Sequence, residues 1–207
     1  MRRTRVLATT VGCGLCTVGL VACGGGERQD KSETAGSYKV VITAASFPSR
    51  QALADKTTMR IRVRNADARA VPDVSVTVAT RPGQAGGAPQ AFSGDVQDPS
   101  VADASRPIWI VDEAPAGGDA ANTNTWALGP LKAGRSRSFE WHVTAVKPGD
   151  YTIDYSVSPG LNGKARAAAG RTTGAFKVLI DARPAQARVD GRGRVVRKPG
   201  RKSASGD

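Results

Sequence analysis

A period of two governs what this chain can fold into. Met59, Ile61 and Val63 alternate with Arg60, Arg62 and Arg64, and Val74, Val76 and Val78 alternate with Ser75 and Thr77. Phe139, Trp141 and Val143 alternate with Glu140, His142 and Thr144; Tyr151, Ile153, Tyr155 and Val157 alternate with Thr152, Asp154 and Ser156. Successive side chains leave a strand on opposite faces, so each run predicts a strand with one buried and one wet face. Val40 and Ile42 open the series, and Phe176, Val178 and Ile180 close it. Corners such as Asn65-Ala66-Asp67 and Lys147-Pro148-Gly149-Asp150 separate the runs, and no later stretch carries the apolar stripe of an amphipathic helix. Six or seven short strands without intervening helices predict an all-β fold, an antiparallel β-sandwich spanning residues 38–182.

The first residues carry an address. Arg2, Arg3 and Arg5 precede an uncharged apolar run of 17 residues, 6–22, and Cys23-Gly24-Gly25-Gly26 follows. That order is the layout of a secretory signal peptide, here residues 1–22. The run sits at the lower limit for crossing a ~30 Å hydrocarbon core and contains three glycines, which makes it a poor permanent anchor. Leu20-Val21-Ala22-Cys23 resembles the lipobox of bacterial lipoproteins. The resemblance implies that Cys23 is acylated, that cleavage falls just before it, and that the protein is held on the extracytoplasmic face of the cell membrane. Two or more acyl chains hold stably where one does not, at ~0.8 kcal/mol per buried CH₂. Cys13 and Cys16 have a CxxC spacing but lie inside the leader and would leave with it.

Charge and cysteine use narrow the rest. The net charge is +12, and loss of residues 1–22 removes three arginines and no carboxylate, leaving +9. Cys23 would be the only remaining cysteine, so the fold is held by its core without a disulfide. For an exported chain, a basic balance points to anionic lipid or an anionic envelope polymer and away from nucleic acid. Residues 23–37 lack a large apolar side chain and read as a lipidated flexible tether. Two Gly- and Pro-rich insertions, 80–106 and 112–125, flank Trp109 and lie close to Trp126. Long loops of this kind place any ligand site there. The tail, 183–207, holds eight Lys or Arg against two Asp and reads as mostly disordered, with a small hairpin turned at Asp190-Gly191.

Three stretches carry a family resemblance: TTMRIRVRNADARAVPDVSVTV (57–78), WALGPLKAGRSRSFEWHVTAVKPGDYTIDYSVS (126–158) and GAFKVLID (174–181). They are similar to the Ig-like domains of bacterial surface proteins such as the CARDB (cell-adhesion-related) group. The Arg- and Ala-heavy, Lys-poor usage resembles that of an actinobacterial lipoprotein. The resemblance implies a spacer or binding module.

Few side chains are candidates for chemistry. His142 is the single histidine and stands on the polar phase of its strand, with no nucleophile motif to serve as a base. With no free thiol, one histidine and Met59 on the buried phase, a metal site lacks ligands, and Asp95, Asp98 and Asp103 lack calcium-loop spacing. No cofactor is expected. Arg60, Arg62 and Arg64 project from one strand face, either to grip a polyanion or to pair across the sheet with carboxylates such as Glu140 or Asp154. Trp109 looks exposed; it and Trp126 offer a sugar platform or cover one end of the core, while Trp141 is the core tryptophan. Arg192, Arg194, Arg197, Lys198, Arg201 and Lys202 form a tail suited to an anionic surface. The expected function is a lipid-anchored, non-catalytic envelope module. The alternative is an accessory subunit docking on an envelope enzyme or transporter through 80–125.

Overall fold

The computed structural model describes residues 33–81, 90–93, 107–116, 119–122, 124–161, 163–168, 170–184 and 187–197. Cys23 and the leader lie outside the described residues. The first strands are β1 (Gly36–Tyr38), β2 (Val40–Ser46), β3 (Arg50–Ala52), β4 (Lys56–Asn65) and β5 (Ser75–Thr80). Next come β6 (Phe92–Ser93), β7 (Trp109–Glu113), β8 (Asp119–Asn122), β9 (Thr125–Ala127) and β10 (Ser136–Ala145). The chain continues through β11 (Gly149–Ser158), β12 (Ala165–Ala167), β13 (Thr173–Asp181), β14 (Ala187–Val189) and β15 (Val195–Arg197), and no helix occurs among the described residues.

Two sheets form an Ig-like sandwich. One has the order β2-β4-β10-β7-β6 and the other β3-β13-β11-β5-β9-β8. Pairing is antiparallel except for β6 with β7 and β3 with β13. The alternation sets which face is buried. In β4, Met59, Ile61 and Val63 are fully buried while Arg60, Arg62 and Arg64 face solvent. Facing strand β10 keeps the same phase, pairing Trp141 with Met59 and Phe139 with Ile61. At Phe47-Pro48 the chain leaves the first sheet and re-enters the second as β3, alongside the last long strand. A proline cannot donate to a ladder, which suits it to this crossing.

The core lies between residues 38 and 180, so a chain beginning at Gly24 keeps all of it. Its centre is aromatic. Trp141 meets Trp126 edge-on at 5.4 Å and stacks against Phe139 at 5.9 Å, and Phe92 lies 5.9 Å from both Trp109 and Trp126. Edge-to-face and offset rings at these separations add to the free energy of burying their surface.

One departure concerns the N-terminal end. The stretch read as tether through residue 37 is part of the domain from Glu33 onward. Glu33 is buried, and β1 pairs in parallel with β12. Its carboxylate accepts the backbone N–H of Leu161 at 2.9 Å and of Ala165 at 2.6 Å, a role that polarity alone does not reveal. In the tail, residues 187–197 form the hairpin β14–β15 turned at Asp190, as Asp-Gly predicts, and the last ten residues lie outside the described set.

Loops gather at the pole where β2 begins and β4 ends, and Asn65 ties the corner after β4 to the turn before β10. Fully buried, it donates through Nδ2 to the carbonyls of Arg69 and Leu131, both at 2.8 Å, and accepts at Oδ1 from the N–H of Asp67 at 2.9 Å. Its backbone meets Arg135 and Gly134 across the corner, where Gly134 has a φ of 70° that favours glycine. Asn65→Ala strands these buried groups, and urea unfolding is expected to show a loss of about 3 kcal/mol. A loss below about 1 kcal/mol would contradict the role given to Asn65.

Candidate functional site

The arginine ladder does not act as a unit. Arg60 is clamped to Glu140 directly across the sheet, with Nε on Oε1 at 2.7 Å and Nη2 on Oε2 at 3.0 Å. This fork holds the Glu140 carboxyl below its usual range and directs Arg60 at a neighbour on the same face. Arg64 reaches the Gly134 carbonyl at 3.4 Å, and Arg62 is exposed. Asp154, expected as another partner of this ladder, belongs to the opposite sheet and is bound by Arg81 at 2.5 and 3.0 Å. Glu140 is therefore the one carboxylate of the two that meets the ladder.

The tryptophans overturn an expectation. Trp109 is fully buried and Trp126 is 5% exposed, so neither ring offers a face to a sugar. The Nε1–H of Trp109 donates to Oε1 of Gln51 at 2.7 Å, and Gln51 is itself buried, its Nε2 donating to the Pro48 carbonyl at 3.0 Å. The reason lies in the 80–106 insertion and the strand that follows it. Phe92, Ile108 and Trp109 turn inward and complete the inner face of the five-stranded sheet, where Gly-rich neighbours suggested a surface loop. Trp141 is in the core as expected.

His142 is exposed, with Nδ1 3.1 Å from the Thr58 hydroxyl and Nε2 3.9 Å from a Glu113 oxygen. Among the described residues, no three His, Cys, Asp or Glu side chains are grouped to hold a metal. In the tail, Arg192 and Arg194 wrap the Asp190 carboxylate. It accepts their backbone N–H groups at 2.9 and 3.0 Å and Nε of Arg194 at 2.9 Å. These bonds hold the Asp190 carboxyl below its ordinary range. Arg197 is in β15, and Lys198, Arg201 and Lys202 lie outside the described residues.

The topology assembles a charged surface that no single stretch displays. At the pole of Glu33, Lys39 and Arg64 stand at strand ends, and Arg69 lies over the Tyr38 ring at 4.7 Å. The turn into β10 adds Lys132, Arg135 and Arg137, the last donating to the Leu128 carbonyl. Lys164, Arg166 and Arg171 flank β12 and enter β13. All nine are exposed, whereas the carboxylates described here are withdrawn: Glu33 is buried, and Asp67 and Asp73 are half-buried. Asp67 accepts the N–H of Lys39 and of Arg69, both at 3.0 Å, and these bonds lower its pKa. A shallow groove on this pole is lined by Ala35, Gly36, Ser37, Gly163, Lys164 and Arg166. The opposite pole mixes Arg50, Lys56 and Lys147 with Asp55, Asp150 and Asp181.

No family model matches the chain, and no curated protein matches it. Similar solved structures include the CARDB domain of a Pyrococcus furiosus protein in complex with di-metal ions. It is 13% identical, covers 73% of this chain and 97% of that one, and has a TM-score of 0.42. The part of Escherichia coli alpha-2-macroglobulin from domain MG7 to the C-terminus is 16% identical over 74% of this chain and 17% of that one, with a TM-score of 0.40. The PapD-like domain 7 of human CEP192 is 15% identical over 72% of this chain and 89% of that one, with a TM-score of 0.36.

Asp73 supplies a test of the withdrawn carboxylates. Burial raises its pKa, the N–H groups of Gly129 and Val74 oppose that rise, and Glu33 adds to it while Arg137 subtracts. A carboxyl that titrates higher when folded than when unfolded destabilises the fold in its ionised form. The native state takes the proton first as pH falls, so the cost fades through the raised folded pKa and vanishes below the unfolded value, about 3.9. Asp73→Asn is therefore expected to unfold at higher urea than the parent at neutral pH, with the advantage narrowing on acidification. An advantage that widened toward low pH would contradict this.

Proposed function

We propose that this protein is a lipid-anchored, non-catalytic Ig-like module of the cell envelope, held by Cys23 on the extracytoplasmic face of the membrane, where it spaces or binds. The observation that carries the module reading is the closed core. Of the chain's ten aromatic residues, nine are buried and Phe176 is packed against them partly buried, so no aromatic platform faces solvent. The outward faces of both sheets carry Thr, Ser, Arg, Lys and carboxylates already paired to one another, an arrangement suited to a solvated spacer. What is described of 80–125 supplies core side chains, which favours this reading over an accessory subunit docking through that segment. The anchor reading is supported by the lipobox-like Leu20-Val21-Ala22-Cys23 and by Glu33, which enters the domain ten residues later.

The test is metabolic labelling of the full chain with a fatty-acid analogue, in parent and Cys23→Ser forms. The parent is expected to incorporate label and the variant none. A parent that stays blank, or a variant that labels equally, would overturn the anchor.

A further inference from the structure

We infer that the pole carrying Glu33 is a docking face for an anionic phospholipid bilayer, so that the domain rests on the membrane by its N-terminal end. This deepens the lipid-anchored reading and rests on it for where the domain is held. Glu33 is ten residue steps along the chain from Cys23, and fully extended backbone gives at most ~3.6 Å per step, so this pole is kept within about 36 Å of an anchored Cys23. It is also the pole with nine exposed cations and no exposed carboxylate among the described residues. Glu33 and Asp67 are turned inward onto backbone N–H groups, which leaves the outward potential positive.

The contact is electrostatic. The exposed large apolar side chains of the described residues are Val146, Leu179, Val189 and Val196, and none lies on this pole. The groove between Gly36 and Lys164, with Arg166 on its rim, offers a cation-lined recess for a phosphate headgroup. The tail starts at the other end of the domain. It leaves from Asp181, which pairs with Ala52 at the opposite pole, a ten-residue strand or roughly 33 Å away. The tail's charge and the pole's charge are therefore separable by experiment.

The probe is the unacylated chain from Gly24 to the end, sedimented with vesicles of phosphatidylcholine alone or mixed with phosphatidylglycerol at increasing salt. One variant carries Lys132→Gln, Arg135→Gln, Arg166→Gln and Arg171→Gln, and a second removes four tail charges at Arg192, Arg194, Arg197 and Lys198. Each cation at an anionic surface is worth roughly a factor of five in binding, and salt screens it within about 10 Å. The parent is expected to bind only the mixed vesicles, with added salt releasing it. The pole variant should lose at least about tenfold in affinity, and the tail variant should stay within about threefold of the parent. Failure of the parent to bind, a pole variant that binds like the parent, or a tail variant that loses as much as the pole variant would overturn the proposal. Urea melts check that the variants fold. Independently of any variant, a phosphatidylglycerol bearing a photoreactive headgroup should mark residues 130–136 and 163–171 of the parent. Marking of 147–150 instead would overturn the proposal. Because Cys23 is absent from the probe, a failed docking face and a failed anchor give different results: fatty-acid labelling without vesicle binding removes the face alone.

Discussion

No disulfide ties the two sheets of this domain, since no cysteine occurs after Cys23, so the sandwich depends on aromatic contact between them. Trp141, from the five-stranded sheet, meets Trp126, from the six-stranded sheet, and Phe92 lies against both together with Trp109. Tyr151 and Phe47 extend the contact from Trp109 toward the pole where β3 crosses over. Burying such rings is the main favourable term open to a domain of this size, and their geometry selects one arrangement of the sheets. Phe92 comes from within the 80–106 insertion and Trp109 from just after it, so the insertion helps to close the core.

The same economy of polar groups governs the N-terminal pole. Buried donors and acceptors must be paired, and here carboxylates do much of the pairing. Glu33 takes two backbone N–H groups, Asp67 takes two more, and Asn65 joins two loops. A methyl group on Gly160 would strike the Glu33 carboxylate, so the backbone is fitted closely to that side chain. Using acidic groups for internal pairing removes them from the surface. The cations remain outside, and the pole acquires its sign as a by-product of how its loops are held.

The strands were legible because period two is a direct consequence of backbone geometry, and each predicted apolar phase, from Met59-Ile61-Val63 to Tyr151-Ile153-Tyr155-Val157, is the buried one. The Asp190-Gly191 hairpin was legible for the same local reason. What failed depended on contacts between distant residues. Glu33 sits in a polar, Gly-rich stretch, and only its meeting with Leu161 and Ala165 marks it as structural. Trp109 is bordered by loop-like composition, and its partner Gln51 lies 58 positions away. Asp154 has the composition of a partner for the arginine ladder but hangs on the other sheet. The basic pole collects residues from position 39 to 171, so no window of sequence contains it.

The segments around Phe92, Trp109 and Trp126 belong to the core, and acrylamide quenching of the folded protein's tryptophan fluorescence, compared with the same chain unfolded in guanidinium, measures this. All three indoles are expected to be shielded together and to become accessible in one transition shared with the loss of β structure. A folded protein in which one indole is quenched as freely as in the unfolded chain would contradict the account.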